Sequence, residues 1–242
     1  MRQGPLPVVV LIAALAAPAA HAELAVGHGC DGRPRPLGTG SSAWAAYAKH
    51  GLHAFSRPGG RPLQRFGRTN ENGATTVFGV RDVVYGSDCE PAWYRVQVPM
   101  RPNGATAFVA AAAVALYPVR ARIEIDLSER RLTFFRDGRL RLTAPAAIGS
   151  ASTPTPTGRY YVNQRLRALD PSGPFGPGAI GISAFSPALT YWTQGGPIAI
   201  HGTDYPASVG LAVSHGCIRV RNTVLRRLFR ATETGAPVVI RA

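Results

Sequence analysis

Apolar and polar residues alternate with period two through most of the C-terminal half of the chain. Arg122-Ile123-Glu124-Ile125-Asp126-Leu127 places its apolar residues on one side, as a strand with one buried face requires. Arg131 to Phe135 follows, Asp137-Gly138 supplies a hairpin turn, and Arg139 to Thr143 sets Leu140 and Leu142 on one face. Tyr160-Tyr161-Val162 and Gly178 to Phe185 continue the pattern. After the breaker Gly195-Gly196-Pro197, the run Ile198-Ala199-Ile200 reads as a buried strand that ends on His201. A helical period occurs only over Thr223 to Thr232, where Leu225, Leu228 and Phe229 form a stripe. Asn222 is placed to cap this helix, Gly235 and Pro237 stop it, and Val238-Val239-Ile240 closes as a strand.

Upstream, shorter β-like runs span Thr76 to Tyr85, Trp93 to Val98 and Ala105 to Val109. Gly86-Ser87-Asp88 and Asn103-Gly104 separate them, the second being a strong hairpin signal. Short strands at this spacing predict a small barrel or sandwich. The segment from His28 to Thr75 is rich in Gly, Pro and Arg, and Ser42 to Lys49 reads as a short helix. The chain divides near Leu116-Tyr117-Pro118-Val119, which gives units at 23–118 and 119–242.

Residues 1–22 are set apart as a secretory signal peptide. Met1-Arg2 is a basic start, Val8 to Ala17 an apolar stretch, and Ala20-His21-Ala22 a small-x-small cleavage site before Glu23. The apolar stretch is short for a membrane span, with an uncleaved anchor as the alternative. The chain is therefore expected to be exported. Three cysteines in an exported chain leave at least one unpaired. The economical assignment is a Cys30–Cys89 disulfide with Cys217 free; the alternative is two free N-terminal thiols. His28, His50 and His53 lack metal-ligand spacing and read as surface histidines, so no metal is expected.

Charged residues make up only 17% of the chain, yet the net charge is +14 and Lys49 is the only lysine. Guanidinium groups stay charged and grip carboxylates with two bonds, which suits an anionic partner. The basic residues are dispersed and no nucleic-acid motif appears, so no nucleic acid is expected. A solvated arginine surface accounts for the charge equally well.

The candidate chemistry lies in Ile200-His201-Gly202-Thr203 and Ser214-His215-Gly216-Cys217-Ile218-Arg219. A thiol is a strong nucleophile only as thiolate, and an adjacent imidazole is the usual means of making one. Glycine beside the nucleophile lets backbone N–H groups approach a developing oxyanion. Two rivals fail on order and spacing. A serine hydrolase built on Ser214 needs a later histidine, and none follows His215. His201, His215 and Cys217 have no spacing that suits tetrahedral zinc.

This pattern closely resembles the signature of the L,D-transpeptidase (YkuD) family: a strand-end His, a gap, Ser/Thr-His-Gly-Cys, a hydrophobic residue, Arg, and an Asn slightly further on. Here these are His201, Ser214 to Arg219, and Asn222. Thr153-Pro154-Thr155-Pro156-Thr157-Gly158 is similar to the family's TPxG loop, and Pro174-Phe175-Gly176-Pro177 to the loop before its central strand. The resemblance spans roughly Val119 to Arg241. It implies a mainly β catalytic domain, preceded by a small SH3-like β domain similar to that of actinobacterial members. It implies Cys217 as nucleophile and His201 as proton donor and acceptor, with the Gly202 carbonyl orienting the ring. His215, Gly216 and Ser214 would support the site or its oxyanion hole, and Arg219 would contact substrate. The implied reaction, without cofactor, cuts a peptidoglycan tetrapeptide stem before its terminal D-Ala and passes the acyl group to a second stem, forming a 3→3 cross-link. Carbapenems are implied covalent inhibitors and anionic wall polymers further partners. A carboxypeptidase using the same cysteine and a non-catalytic wall-binding module are the alternatives.

Overall fold

The computed structural model describes residues 30–38 and 42–242. The expected signal peptide at 1–22, with its cleavage site, and His28 lie outside the described residues. No helix among the described residues is long and apolar enough to cross a membrane.

The first unit is an eight-stranded antiparallel sheet. Its strands are β1 (Arg35–Pro36), β2 (Ala43–Ala48), β3 (Leu52–Phe55), β4 (Pro62–Phe66), β5 (Val77–Tyr85), β6 (Pro91–Gln97), β7 (Thr106–Ala110) and β8 (Val114–Val119). They lie in the order β4-β3-β7-β6-β5-β2-β8, with β1 also on β5. Ser42 to Lys49 is thus not the helix its alanines suggest: it forms β2. The reason is burial on both sides. Ala45 packs into the core of the second unit, while Ala46 and Ala48 pack into the core of the first. A strand buried on both faces shows no alternation, and small residues are what two cores can accommodate in one layer. Cys30 and Cys89 form a disulfide, their Cα atoms 5.2 Å apart, and Cys217 is free. Closing a loop of this length stabilises the fold by about 4 kcal/mol in the chain-entropy model.

At Arg120 the chain passes into a second sheet. Here lie β9 (Ala121–Asp126), β10 (Arg131–Arg136), β11 (Arg139–Pro145), β12 (Ile148–Gly149), β13 (Gly158–Arg167), β14 (Gly178–Phe185), β15 (Pro197–His201), β16 (Ala212–Ser214), β17 (Ile218–Arg219) and β18 (Pro237–Arg241). Eight of them run in the order β11-β10-β9-β18-β13-β14-β15-β17, and β12 pairs with β16 in a two-stranded ribbon. Asp137 and Gly138 both take positive φ, as a two-residue turn between β10 and β11 demands. The helix α1 (Asn222–Ala231) buries Leu225 and Leu228 and packs against β15. Arg165 and Arg136 donate to the carbonyls of Phe229 and Ala231, satisfying groups at its C-terminal end. The protein is mainly β, and its second core runs through Ile123, Ile180, Ile200, Ile218 and Leu225.

The units are joined by specific polar bonds. Gln97 Nε2 donates to the Arg159 carbonyl at 2.6 Å, and Asn70 and Asn72 both donate to Gln164 Oε1. Arg101 donates to the carbonyls of Ser186 (2.7 Å) and Gly195 (2.9 Å), and Asn103 exchanges two bonds with the backbone of Phe185. These last contacts hold both ends of the loop between β14 and β15.

Candidate active site

The site is built on two adjacent parallel strands. In their register Ile200 stands opposite Ile218, and His201 opposite Arg219. Cys217 immediately precedes β17, two residues before Arg219, so strand alternation puts Cys217, Arg219 and His201 on one face. Ile200 and Ile218 point the other way and are fully buried in the core, which fixes both backbones.

His201 is buried, 4% exposed. Its Nδ1 lies 2.6 Å from the carbonyl oxygen of Gly202. A carbonyl can only accept, so Nδ1 carries the proton and Nε2 of the neutral ring presents a lone pair. Burial pushes the imidazole down to about 4, and the nearby charge of Arg219 acts in the same direction against the Gly202 bond. Phe175 flanks the ring at 4.9 Å between centroids.

Asn222 does not cap α1. Residue 221 occupies the cap position without a side-chain bond, and Asn222 is the first helical residue. Its Oδ1 instead accepts from the Thr203 N–H at 2.8 Å. That oxygen lies so close to Gly202 that a Cβ there would be 2.2 Å away, so a side chain at 202 would push Asn222 out of place. The helix start thereby pins the turn whose carbonyl orients His201.

The cysteine loop is braced from two sides. Ser214 Oγ donates to the Cys217 carbonyl at 2.5 Å and accepts from the Gly216 N–H at 3.1 Å. Gly216 has φ +109, a conformation that side chains rarely adopt, with Ile198 against the missing Cβ. From outside, Thr155 Oγ1 donates to the Gly216 carbonyl (2.9 Å) and accepts from the Gly149 N–H (2.8 Å). Thr153 Oγ1 donates to the Ser214 carbonyl at 2.9 Å. The threonine-proline run is thus a scaffold for the backbone of the Cys217 loop.

Cys217 is partly exposed, with Sγ 4.0 Å from the Pro197 carbonyl. Burial of its flanks pushes the thiol up, while the Ala199 N–H and the Arg219 charge pull it down. Burial thus acts against charge on the imidazole and on the thiol alike. The His215 side chain is exposed and lies beside Trp192, 5.6 Å between ring centroids. Trp192 and the exposed Tyr191 sit on the loop that Arg101 and Asn103 anchor.

The structure therefore gathers His201, Gly202, Ser214, Gly216, Cys217 and Arg219, and places His215 at the rim. The Gly216 N–H is engaged by Ser214, which removes it as a free oxyanion donor. Thr153, Thr155, Asn222 and Phe175 join the site through contacts that spacing does not reveal. Cys30 and Cys89 lie in the first unit. His50 and His53 are exposed, and no group of His, Cys, Asp or Glu suited to a metal occurs among the described residues.

A family model described as the YkuD L,D-transpeptidase catalytic domain matches residues 120–240. A putative L,D-transpeptidase YkuD of Bacillus subtilis is 36% identical over 124 residues, covering 51% of this chain and 68% of that one. A probable L,D-transpeptidase ErfK/SrfK of Salmonella typhimurium is 30% identical over 169 residues, covering 60% of this chain and 52% of that one. A crystal structure of a mutant Enterococcus faecium L,D-transpeptidase is similar with 27% identity and a TM-score of 0.38, covering 50% of each chain. The chain thus spans between about half and two thirds of the length of these relatives.

Proposed function

The chain belongs to the YkuD L,D-transpeptidase family, and from that premise we propose that it is a cysteine acyltransferase acting on peptidoglycan stems. The observation that carries this reading is the common face of Cys217, His201 and Arg219, with Nδ1 of His201 committed to Gly202 and Nε2 left as base.

In the first step the Cys217 Sγ–H proton passes to His201 Nε2 as sulfur attacks the peptide carbonyl before the terminal D-Ala. The N–H groups of His215 and Cys217 receive the oxyanion. Collapse breaks the C–N bond, the imidazolium returns its proton to the leaving amine, and a thioester remains on Cys217. An amine of a second stem then attacks the thioester and gives its proton to His201, and collapse expels the thiolate, which takes that proton back. The Arg219 charge favours the thiolate in both half-reactions and offers a contact to a donor carboxylate. When the acceptor is the side-chain amine of a diamino acid, the product is a 3→3 cross-link.

A β-lactam carbonyl is a strained acyl donor to the same thiol, so carbapenems should acylate Cys217. Export to the wall or periplasm fits the N-terminal sequence, the Cys30–Cys89 disulfide and the anionic partners that an arginine-rich surface would meet. Water in place of the amine gives carboxypeptidase activity at the same, partly exposed cysteine.

The test is incubation with a defined disaccharide-tetrapeptide, followed by mass spectrometry. Cross-linked dimer with released D-Ala is the expected outcome; tripeptide alone assigns hydrolysis. A Cys217→Ala variant with full activity overturns the mechanism. An inert wild type that takes no carbapenem adduct and binds isolated walls makes the chain a binding module.

A further inference from the structure

Away from Cys217, the two sheets enclose a cleft of about 410 Å³, within the range of small-molecule pockets and at the domain junction where such pockets concentrate. Strands β5 and β6 form one wall, β13 and β18 the other, and Trp44 adds an aromatic surface. Its charge is one-sided. Among the described residues, Arg81, Arg120, Arg122 and Arg159 line it, and no Asp or Glu does.

Two of these arginines are already matched. Arg122 pairs with Glu124 at 2.9 Å and lies over the Phe135 ring, and Arg120 is 3.8 Å from Asp137. Among the described residues, Arg81 and Arg159 pair with no carboxylate. Asp82, adjacent to Arg81, is engaged by Arg95. Arg81 is also held in place: it donates to Gln97 Oε1 at 2.9 Å, and the same amide donates to the Arg159 carbonyl at 2.6 Å. Gln97 is 1% exposed, so a buried amide fixes one guanidinium to the strand that carries the other. Burial weakens Arg81's hold on its proton, repulsion from Arg159 weakens it further, and the charge of Asp82 offsets only part of this. Arg81, half-buried, and the exposed Arg159 repel each other, and the nearby Asp82 is already engaged by Arg95, so the cleft is short of negative charge. An anion between them would relieve both at once, through the planar fork that guanidinium offers to oxyanions.

We propose that this cleft is a second ligand site, separate from the Cys217 centre, which takes a small molecule through a phosphate or carboxylate group held by Arg81 and Arg159. It does not depend on the reading of the catalytic site.

The test is calorimetric titration of the full chain at fixed ionic strength, with inorganic phosphate in one arm, citrate in the other and chloride as reference. Saturable binding of one anion per chain is expected. Tighter phosphate binding assigns a phosphoryl ligand, and tighter citrate binding a carboxylate one. Arg159→Gln, which alters an exposed side chain without a polar partner among the described residues and so leaves folding intact, should weaken binding about tenfold, or about 1.4 kcal/mol. The double change Arg81→Gln with Arg159→Gln should abolish it. Arg219→Gln, in the catalytic site, and Arg227→Gln, on the exposed side of α1, should leave it unchanged. Absence of saturable binding in both arms, or an Arg159→Gln chain that binds like the wild type, overturns the proposal.

Discussion

Replacing His201 with glutamine should change how the stability of the catalytic core depends on pH, and by an amount the structure sets. The folded imidazole titrates at about 4, chiefly because it is buried, against an ordinary value of 6.5. Above 6.5 the ring is neutral in both the folded and the unfolded chain, and its contribution is full and flat. Between 6.5 and 4 the unfolded chain binds a proton that the folded one excludes, so stability falls as the pH falls. Over that window the loss comes to about 3 kcal/mol. Glutamine can still donate an amide N–H to the Gly202 carbonyl but cannot take up a proton. The variant should therefore lose about 3 kcal/mol less than the wild type between pH 7 and pH 4. Asp31, Asp126 and Asp170 have lowered values, so their losses begin near the ordinary carboxylate range at the foot of this window, and they are identical in both chains. Urea unfolding at several pH values measures the difference. Because the protein has two cores, the relevant transition is followed through exchange protection of the Ile200 and Ile218 amides. Equal pH dependence in the two proteins would show that His201 is not held neutral by burial, and the assignment of Nε2 as a ready base would fall with it.

Three further outcomes follow from contacts at the site. Arg219→Ala removes a charge that favours the thiolate, so iodoacetamide should label Cys217 about threefold more slowly at pH 7.5; an unchanged rate would mean the charge does not reach sulfur. Thr155→Val leaves the Gly149 N–H and the Gly216 carbonyl without their buried partner and should cost about 1–3 kcal/mol in urea unfolding, with a larger loss of turnover than of substrate binding. Arg101→Ala frees one end of the Trp192 loop from the first unit and should raise KM for the tetrapeptide about fivefold, while alkylation of Cys217 by a small reagent proceeds at the wild-type rate. Slower alkylation there would mean that Arg101 supports the cysteine itself and not the loop.

The parts of the protein legible in the sequence are those where one face is buried and the other is wet. The strand Ala121–Asp126 alternates buried and half-buried residues, and its period shows in the letters. The Ala43–Ala48 strand lies between two cores and has no period to show, so its alanines suggested a helix. The same limit governs the site. His201, Cys217 and Arg219 are readable because their chemistry and spacing are both local to short segments. Asn222 is not: an asparagine at a helix start ordinarily caps it, and only the fold brings the Thr203 N–H to its side chain as the competing partner. Thr155 is equally silent, since its two partners lie at Gly149 and Gly216 and come together only when β12 pairs with β16.

If the chain is exported as proposed, its free thiol meets a conflict, because the thiolate that would react with substrate is also the form that oxidants consume. The geometry answers it by keeping reactivity conditional. Burial raises the Cys217 thiol and lowers His201, so it opposes charge on each of them. The elements of activation are nevertheless fixed in advance: Nδ1 of His201 is committed to Gly202, the loop carbonyls are tied to Thr153, Thr155 and Ser214, and Arg219 stands on the same face. What is missing is a carbonyl for sulfur to attack as the proton leaves. On the proposed function a bound stem peptide would supply it and exclude water from Cys217, so proton transfer and bond formation would become favourable together and only then. An ion pair formed at rest would give faster alkylation at neutral pH but would lose this protection. On this argument the raised thiol is part of the proposed mechanism, and it ties the free Cys217 to the buried histidine sixteen residues before it.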